Sequence, residues 1–226
     1  MNLKNKKNYY VDKANGKKKI IIIVLAILVL LVSLIIFINM YYKNKNVGNN
    51  MSNKNIEEIE KYILDISSYK AKIEVETQSN KNTNKYVLEQ EYKKDSYSQQ
   101  TVLEPSNIEG MTMRYENNTL KLNYSKLNLT TIYENYNDLM NNFLWINAFA
   151  EDYKSAKDSN NASIKEDGDL VIMQTKTRNS NNKYVYSKEL TIDKKTGKPT
   201  KLIIQDINKK NLVYILYNEI AVNGLK

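Results

Sequence analysis

Carboxylates are the side chains with the clearest capacity for chemistry in this sequence, which contains no histidine and no cysteine. Asp65, Asp138, Glu151 and Asp152 carry groups of the kind that act in pairs in glycosidases. Their spacing along the chain does not establish such a pair, and acidic residues on a protein surface are far more common. We therefore expect no catalytic residues and predict that the protein is not an enzyme.

The sequence also lacks the patterns of metal-dependent and nucleotide-dependent enzymes. Without histidine and cysteine, there is no imidazole or thiolate to bind a metal, no His-based triad and no cysteine nucleophile. Neither phosphate-binding pattern, G-x-x-x-x-G-K-[ST] or G-x-G-x-x-G, occurs. The acidic residues 166–169 lack the twelve-residue pattern of a calcium loop and indicate a hairpin turn. We expect no metal and no cofactor.

Large apolar side chains in the middle of the chain are better candidates for a functional surface. The chain has eighteen tyrosines but only three phenylalanines and one tryptophan, so Leu139, Phe143, Trp145 and Phe149 stand out on a helix predicted over residues 135–153. Leu139 and Phe143 share one helical face, whereas Trp145 lies about 200° around the helix from Phe143. We expect Phe143 in the core and Trp145 free for contact. These four residues form the candidate ligand-binding or partner-binding site.

An apolar segment at residues 20–38 organises the chain. It is interrupted only by Ser33, and as a helix it would span about 29 Å, close to the thickness of a bilayer's hydrocarbon core. Seven lysines precede it, whereas only Lys43 and Lys45 follow closely, so the positive-inside rule places the N-terminus in the cytoplasm. No A-x-A-like cleavage site and no cysteine for a lipid follow, which indicates an uncleaved anchor in the cell membrane.

Four regions follow from this segment: a basic cytoplasmic tail at 1–19, a transmembrane helix at 20–38, a linker at 39–54 and an extracytoplasmic domain at 55–226. Residues 1–45 contain nine lysines and one acid, so most of the net charge of +9 reflects topology and contact with inner-leaflet lipid. The remainder is close to neutral, and we expect no nucleic-acid partner.

The predicted elements of residues 55–226 combine two helices with many strands. Asn55 and Glu58 form the pattern of a capping box at the start of a helix. From Tyr69 the apolar period changes to two, and alternating segments joined by short polar turns predict an antiparallel meander of about nine strands. The expected fold class is α+β, mostly β: a curved antiparallel sheet, shaped as an open half-barrel, that cups one or two helices and follows a transmembrane helix.

Four segments carry a family resemblance: the opening helix running into residues 67–75, the strand end at 92–94, the mid-chain helix, and the closing hairpins around 196–204. In this order, over most of residues 55–222, they make the chain resemble the LolA/LolB-like half-barrel proteins, and more closely the clostridial germination lipoprotein GerS and its relatives. The resemblance implies a non-enzymatic extracytoplasmic protein that uses a curved sheet to hold an apolar ligand or a protein partner. In the germination lipoprotein, the implied partner is a cell-wall amidase that modifies spore peptidoglycan. The family's acylated cysteine is absent, and a transmembrane helix replaces it.

We therefore expect a membrane-anchored accessory protein that binds an envelope protein, such as a peptidoglycan-modifying amidase, in sporulation or germination. The alternative is a carrier or sensor that binds acyl chains or lipoproteins in the half-barrel cavity, and an envelope hydrolase is a third possibility. What occupies the concave face of the half-barrel distinguishes the first two hypotheses. A deep cavity lined by aliphatic and aromatic side chains favours a lipid, whereas a cavity filled by helices favours a protein partner.

Overall fold

The computed structural model describes residues 55–79, 81–136, 144–178 and 182–224. Its helices are α1 (Ile56–Leu64) and α2 (Ile146–Lys157), with a short 3₁₀ turn at Ser125–Leu127. The strands are β1 (Ser68–Gln78), β2 (Thr83–Lys93), β3 (Tyr97–Glu104), β4 (Thr112–Glu116), β5 (Thr119–Tyr124), β6 (Leu129–Tyr133), β7 (Ala162–Asp167), β8 (Leu170–Lys176), β9 (Ser187–Asp193), β10 (Pro199–Gln205) and β11 (Asn211–Val222).

The predicted tail, transmembrane helix and linker, residues 1–54, lie outside the described residues. Within the described ranges, no helix is long and apolar enough to cross a membrane.

The eleven strands form one antiparallel sheet in the order β6-β5-β4-β3-β2-β1-β11-β10-β9-β8-β7. It consists of two meanders, β1–β6 and β7–β11, which are joined where β1 pairs with β11. The first and last strands of the domain therefore lie at the middle of the sheet, and β6 and β7 lie at its two edges. The predicted antiparallel, mostly β architecture with two helices is confirmed, with more strands than the expected nine.

Helix α1 begins as the sequence predicts. The Asn55 side chain accepts a hydrogen bond from the Glu58 backbone N–H at 2.9 Å, and the Glu58 carboxylate accepts one from the Asn55 N–H at 3.2 Å. This reciprocal pair satisfies two donors at the helix start. The apolar face carries Ile59 and Ile63, and both are fully buried in the core.

Asn135 does not cap the mid-chain helix, of which the structure describes Ile146–Lys157. The sequence predicts Asn135 as its cap, but Asn135 has a φ of 54°, a left-handed conformation that ends β6 and is incompatible with a helix N-cap. The backbone N–H of Tyr136 then donates to the carbonyl of Asn118 at 2.8 Å. Helix α2 starts only at Ile146, with Trp145 in an extended conformation at the cap position. Residues 137–143 lie outside the described ranges.

A buried ion pair attaches helix α2 to the sheet. The Lys188 ammonium on β9 lies 2.7 Å from the Asp152 carboxylate on α2, and both side chains are almost fully buried. The second Asp152 oxygen accepts hydrogen bonds from the backbone N–H and the Nε of Arg178, at 3.1 and 3.0 Å. Burial lowers the pKa of Lys188, and the charge of Asp152 opposes that shift. The pair therefore fixes both the position and the rotation of α2.

Removing one member of this pair tests how strongly it holds the fold. We predict that Asp152→Asn lowers the free energy of unfolding by about 3–5 kcal/mol, because the Lys188 charge would remain buried without a countercharge. Asp169→Asn is the matched control: Asp169 pairs with Lys195 at 2.7 Å, but their side chains are 71% and 64% exposed. Urea unfolding followed by tryptophan fluorescence measures both variants. Equal midpoints for the two variants would contradict this account.

Candidate functional site

The strands β4, β5 and β6 form a wing at one end of the sheet, which we call the β4–β6 wing. The helices lie at the other end: α2 lies over β7 and β8, and α1 contacts α2 and β7. The sheet face that carries the core therefore continues onto the wing, away from the helices.

Strand register shows which side chains this face carries, because directly opposed residues of antiparallel strands point to the same side. One row of opposed residues crosses from β1 at the centre to β6 at the edge. The exposed fraction of the residue is 0% at Tyr69, at the centre of the sheet, and 47% at Tyr133, at its edge. The row consists of Tyr69, Tyr92, Ser98, Tyr115, Leu120 and Tyr133. An adjacent row contains Ala71, Gln90, Gln100, Met113, Leu122 and Thr131.

The outer strand of the wing, β6, is largely apolar and has no charged side chain that would hinder pairing with another strand. Among the described strands, β6 pairs only with β5, so alternate backbone N–H and C=O groups point away from the sheet edge. The strand, Leu129 to Tyr133, contains no charged residue and no proline. Leu127, Leu129, Ile132 and Tyr133 are all exposed. Proteins usually protect an edge strand with lysine, proline, a bulge or a covering element, so this edge has the character of a binding surface.

Strand β6 was missing from the sequence prediction, although its composition offered a signal. Its five residues, Leu-Thr-Thr-Ile-Tyr, are mostly β-branched or aromatic, as is typical of strands. Its exposure could not be predicted locally, because the edge position depends on the order of all eleven strands.

The structure describes two of the four sequence-predicted site residues, Trp145 and Phe149. Leu139 and Phe143 lie outside the described residues. Phe149 is fully buried against Tyr153, with ring centroids 6.0 Å apart, and Trp145 is only 4% exposed, with its ring 6.2 Å from that of Tyr69. The expectation that Trp145 is free for contact is wrong, because its side chain is almost fully buried beside Tyr69. The binding role assigned to the four residues stays a prediction.

A pocket of about 330 Å³ lies at the inner end of the wing. It is bounded by the β2–β3 turn, the β4–β5 turn and the start of α2, and we call it the hairpin pocket. Tyr92, Tyr97, Tyr115, Trp145 and Asn147 are among the residues that line it. The Nε1 of Trp145 and the Oδ1 of Asn147 are buried without a hydrogen-bond partner in the described part of the chain. An unsatisfied buried polar atom costs about 1–3 kcal/mol.

Two of the tyrosines around the hairpin pocket are held in their neutral form. Burial, followed by the negative charges of Glu151 and Asp95, raises the pKa of Tyr92 to about 12. The Tyr97 hydroxyl donates to the Glu91 carboxylate, and this hydrogen bond raises the pKa of Tyr97. Both phenols therefore carry a proton near neutral pH, since the ordinary pKa of tyrosine is about 10.

A polar network underlies the pocket between the sheet and the start of α2. The Tyr69 hydroxyl donates to the Oε1 of Gln90 at 3.3 Å, and the Nε2 of Gln90 donates to the Oε1 of Gln100 at 3.1 Å. The same Nε2 lies 3.4 Å from the carbonyl of Leu144. These bonds fix the chain as it enters α2 and so position Trp145.

Two of the four candidate carboxylates, those of Glu151 and Asp152, have structural partners. Glu151 pairs with the Nη2 of Arg178 at 2.8 Å, next to the buried pair of Asp152. Asp65 is the C-cap of α1, and Asp138 lies outside the described residues. The acidic residues 166–169 connect β7 to β8, which confirms the predicted hairpin turn. Among the described residues, no group of three or more acidic side chains is placed to hold a metal.

Comparisons with known proteins identify a family. A family model described as "Sporulation protein YdcC-like" matches residues 17–224. No curated protein matches the chain.

The chain is similar to several solved structures, three of which follow. An uncharacterized conserved protein from Thermus thermophilus has 11% identity, with 75% of this chain and 88% of that chain covered and a TM-score of 0.48. The structure of the CwlD amidase from Clostridioides difficile in complex with the GerS lipoprotein has 21% identity, 72% and 91% coverage, and a TM-score of 0.47. The LolA superfamily protein NE2245 from Nitrosomonas europaea has 10% identity, 76% and 94% coverage, and a TM-score of 0.40.

Truncation of the single tryptophan tests its place in the core. We predict that Trp145→Ala lowers the free energy of unfolding by about 3–5 kcal/mol, because it leaves a cavity beside the buried Tyr69 ring. Tyr184→Ala, at a side chain that is 61% exposed, is the control and should change stability by less than about 0.5 kcal/mol. Circular dichroism during denaturation measures both. A Trp145→Ala protein as stable as the control would place Trp145 outside the core.

Proposed function

Because the chain belongs to the family of YdcC-like sporulation proteins, we propose that it is a non-enzymatic, membrane-anchored accessory protein that binds an envelope protein during sporulation. The sheet is proposed to form a half-barrel of the LolA type. The proposed partner is an envelope protein such as a peptidoglycan-modifying amidase, the class implied by the resemblance to the germination lipoproteins.

The observation that carries the binding function is the apolar, uncharged face and edge of the β4–β6 wing. Leu129 and Tyr133 point to the same side as the half-buried Leu120 and Leu122, so they extend one apolar surface to the sheet edge. Its outermost members are exposed, and burying such a surface against a partner removes apolar area from water. The backbone groups of β6 that pair with no described strand can in addition pair with a strand of the partner, as in β-strand addition.

The alternative function, a carrier or sensor of acyl chains, has less support. The core side of the sheet is filled beneath the helices, where Ile59, Ile63 and Phe149 are fully buried. The hairpin pocket has polar groups in its wall, and a second pocket of about 440 Å³ is lined in part by Lys72 and Glu74. Neither pocket lining favours an acyl chain, because a bound chain would remove water from the polar and charged side chains of the wall without offering them a hydrogen-bond partner. Because the helices fill the core side of the sheet, a protein partner is favoured over a lipid.

The proposed site of action is the outer surface of the cell membrane. Support comes from the apolar segment at 20–38 and from the seven lysines before it. The family match begins at residue 17, so the segment belongs to the matched region.

Protease treatment of intact, wall-stripped cells tests this topology. We predict that added protease digests the chain beyond about Tyr42 and spares the basic tail, because only the residues after the anchor would be accessible. Immunoblots with antibodies against each end measure the result, with detergent-lysed cells as the control. A C-terminal domain protected in intact cells would contradict the proposed location.

Paired surface substitutions test the binding face. We predict that Leu129→Glu lowers recovery of the partner at least tenfold, because it places a charge in the apolar surface of the wing. Ile207→Glu is the matched control, since Ile207 lies in the β10–β11 turn and is 54% exposed, compared with 55% for Leu129. Co-purification of the full-length variants from detergent-solubilised membranes of sporulating cells, followed by mass spectrometry, measures recovery. Equal recovery with both variants would contradict binding through the wing.

A further inference from the structure

We propose that the hairpin pocket is a binding site for a carboxamide group, presented by an asparagine or glutamine side chain of the protein partner. The source of the group rests on the proposed function, whereas the site itself rests on the geometry of the pocket. The pocket has a volume of about 330 Å³ and opens between two hairpin turns and the start of α2.

Two unpaired atoms define what the pocket binds. The indole Nε1 of Trp145 can only donate a hydrogen bond, and the Oδ1 of Asn147 can only accept one. Both atoms are buried, and neither has a partner among the residues that the structure describes. Trp145 is 4% exposed, and both residues line the pocket. A ligand that completes this site must therefore accept one hydrogen bond and donate another.

Several other polar groups of the wall are already engaged. The Tyr97 hydroxyl donates to Glu91, and the Tyr115 hydroxyl donates to the Oδ1 of Asn118 at 3.0 Å. The carboxylate of Glu151 is paired with Arg178. Among the buried side-chain atoms of the described wall residues, the unmet hydrogen-bonding capacity lies at Trp145 and Asn147, and Tyr92, Tyr97 and Tyr115 line the same pocket.

A carboxamide matches this pair better than other common polar groups. An ionised carboxylate can only accept, and an ammonium or guanidinium group can only donate, so each would leave one of the two atoms unpaired. A carboxamide carries a carbonyl and an NH₂ side by side on one planar group. Its carbonyl can accept from the Trp145 Nε1 while its NH₂ donates to the Asn147 Oδ1. Trp145 and Asn147 both belong to the segment that opens α2, and both line the same pocket.

The position of the pocket favours a protein side chain as the source. Tyr115 lines the pocket and is also a member of the row that crosses the β4–β6 wing. A protein bound on the wing therefore lies beside the pocket mouth and can insert one side chain into it.

The single tryptophan of the chain makes the site directly observable. In the ¹⁵N-labelled full-length protein in detergent micelles, the indole N–H gives one resonance that reports on Trp145. We expect acetamide to shift this resonance in a saturable manner, while sodium acetate and methylammonium chloride leave it unchanged. N,N-dimethylacetamide, which keeps the carbonyl but has lost both N–H donors, should bind at least tenfold more weakly than acetamide. Asn147→Leu should weaken acetamide binding to the same degree.

Three outcomes would overturn the proposal. No saturable shift with acetamide, or equal binding of acetamide and N,N-dimethylacetamide, would exclude a carboxamide site, and these tests need no variant that could fail to fold. Tighter binding of N-acetylglucosamine than of acetamide would overturn the protein side chain as the source and indicate a saccharide. The titration contains no partner protein, so its failure is distinguishable from a failure of binding through the β4–β6 wing.

Discussion

The pairing of β1 with β11 is the interaction on which the rest of the structure depends. It joins residues 69–77 to residues 213–222, near the two ends of the described domain, and it unites two meanders in one sheet. Tyr69, Ile73 and Ile215 lie on this central pair and are fully buried. Because contacts between residues so distant in sequence form only after a large loss of chain entropy, we expect this pairing to limit the folding rate.

The two halves of the sheet are covered unequally, and this asymmetry generates the candidate surface. Helices α1 and α2 lie towards β7 and β8, where the buried pair of Asp152 and Lys188 holds α2 in place. On the other side, the core face continues through the polar contact of Gln90 with Gln100 and emerges on the β4–β6 wing. The same sheet therefore provides a closed core at one end and an exposed apolar surface at the other.

Local patterns in the sequence predicted a large part of this fold, and long-range pairing explains what they missed. The capping box of Asn55 and Glu58 and the period-two strands are local signals, and the structure contains both. The start of α2 was misplaced because Asn135 can occupy a left-handed position as readily as a helix cap. From the sequence alone, a lysine such as Lys188 is expected on the protein surface. Its contact with Asp152, which is distant in sequence, explains why it is buried. The binding wing depends on strand order, which no single segment encodes.

Site-specific photo-cross-linking tests the central claim, that the β4–β6 wing binds a protein partner, most directly. A photoreactive phenylalanine analogue at position 133, on the edge strand, is compared in sporulating cells with the same analogue at position 184, which is also exposed and lies outside the wing. The account predicts one discrete protein adduct from position 133 and none from position 184. Adducts from position 184 alone, or from neither position, would contradict it.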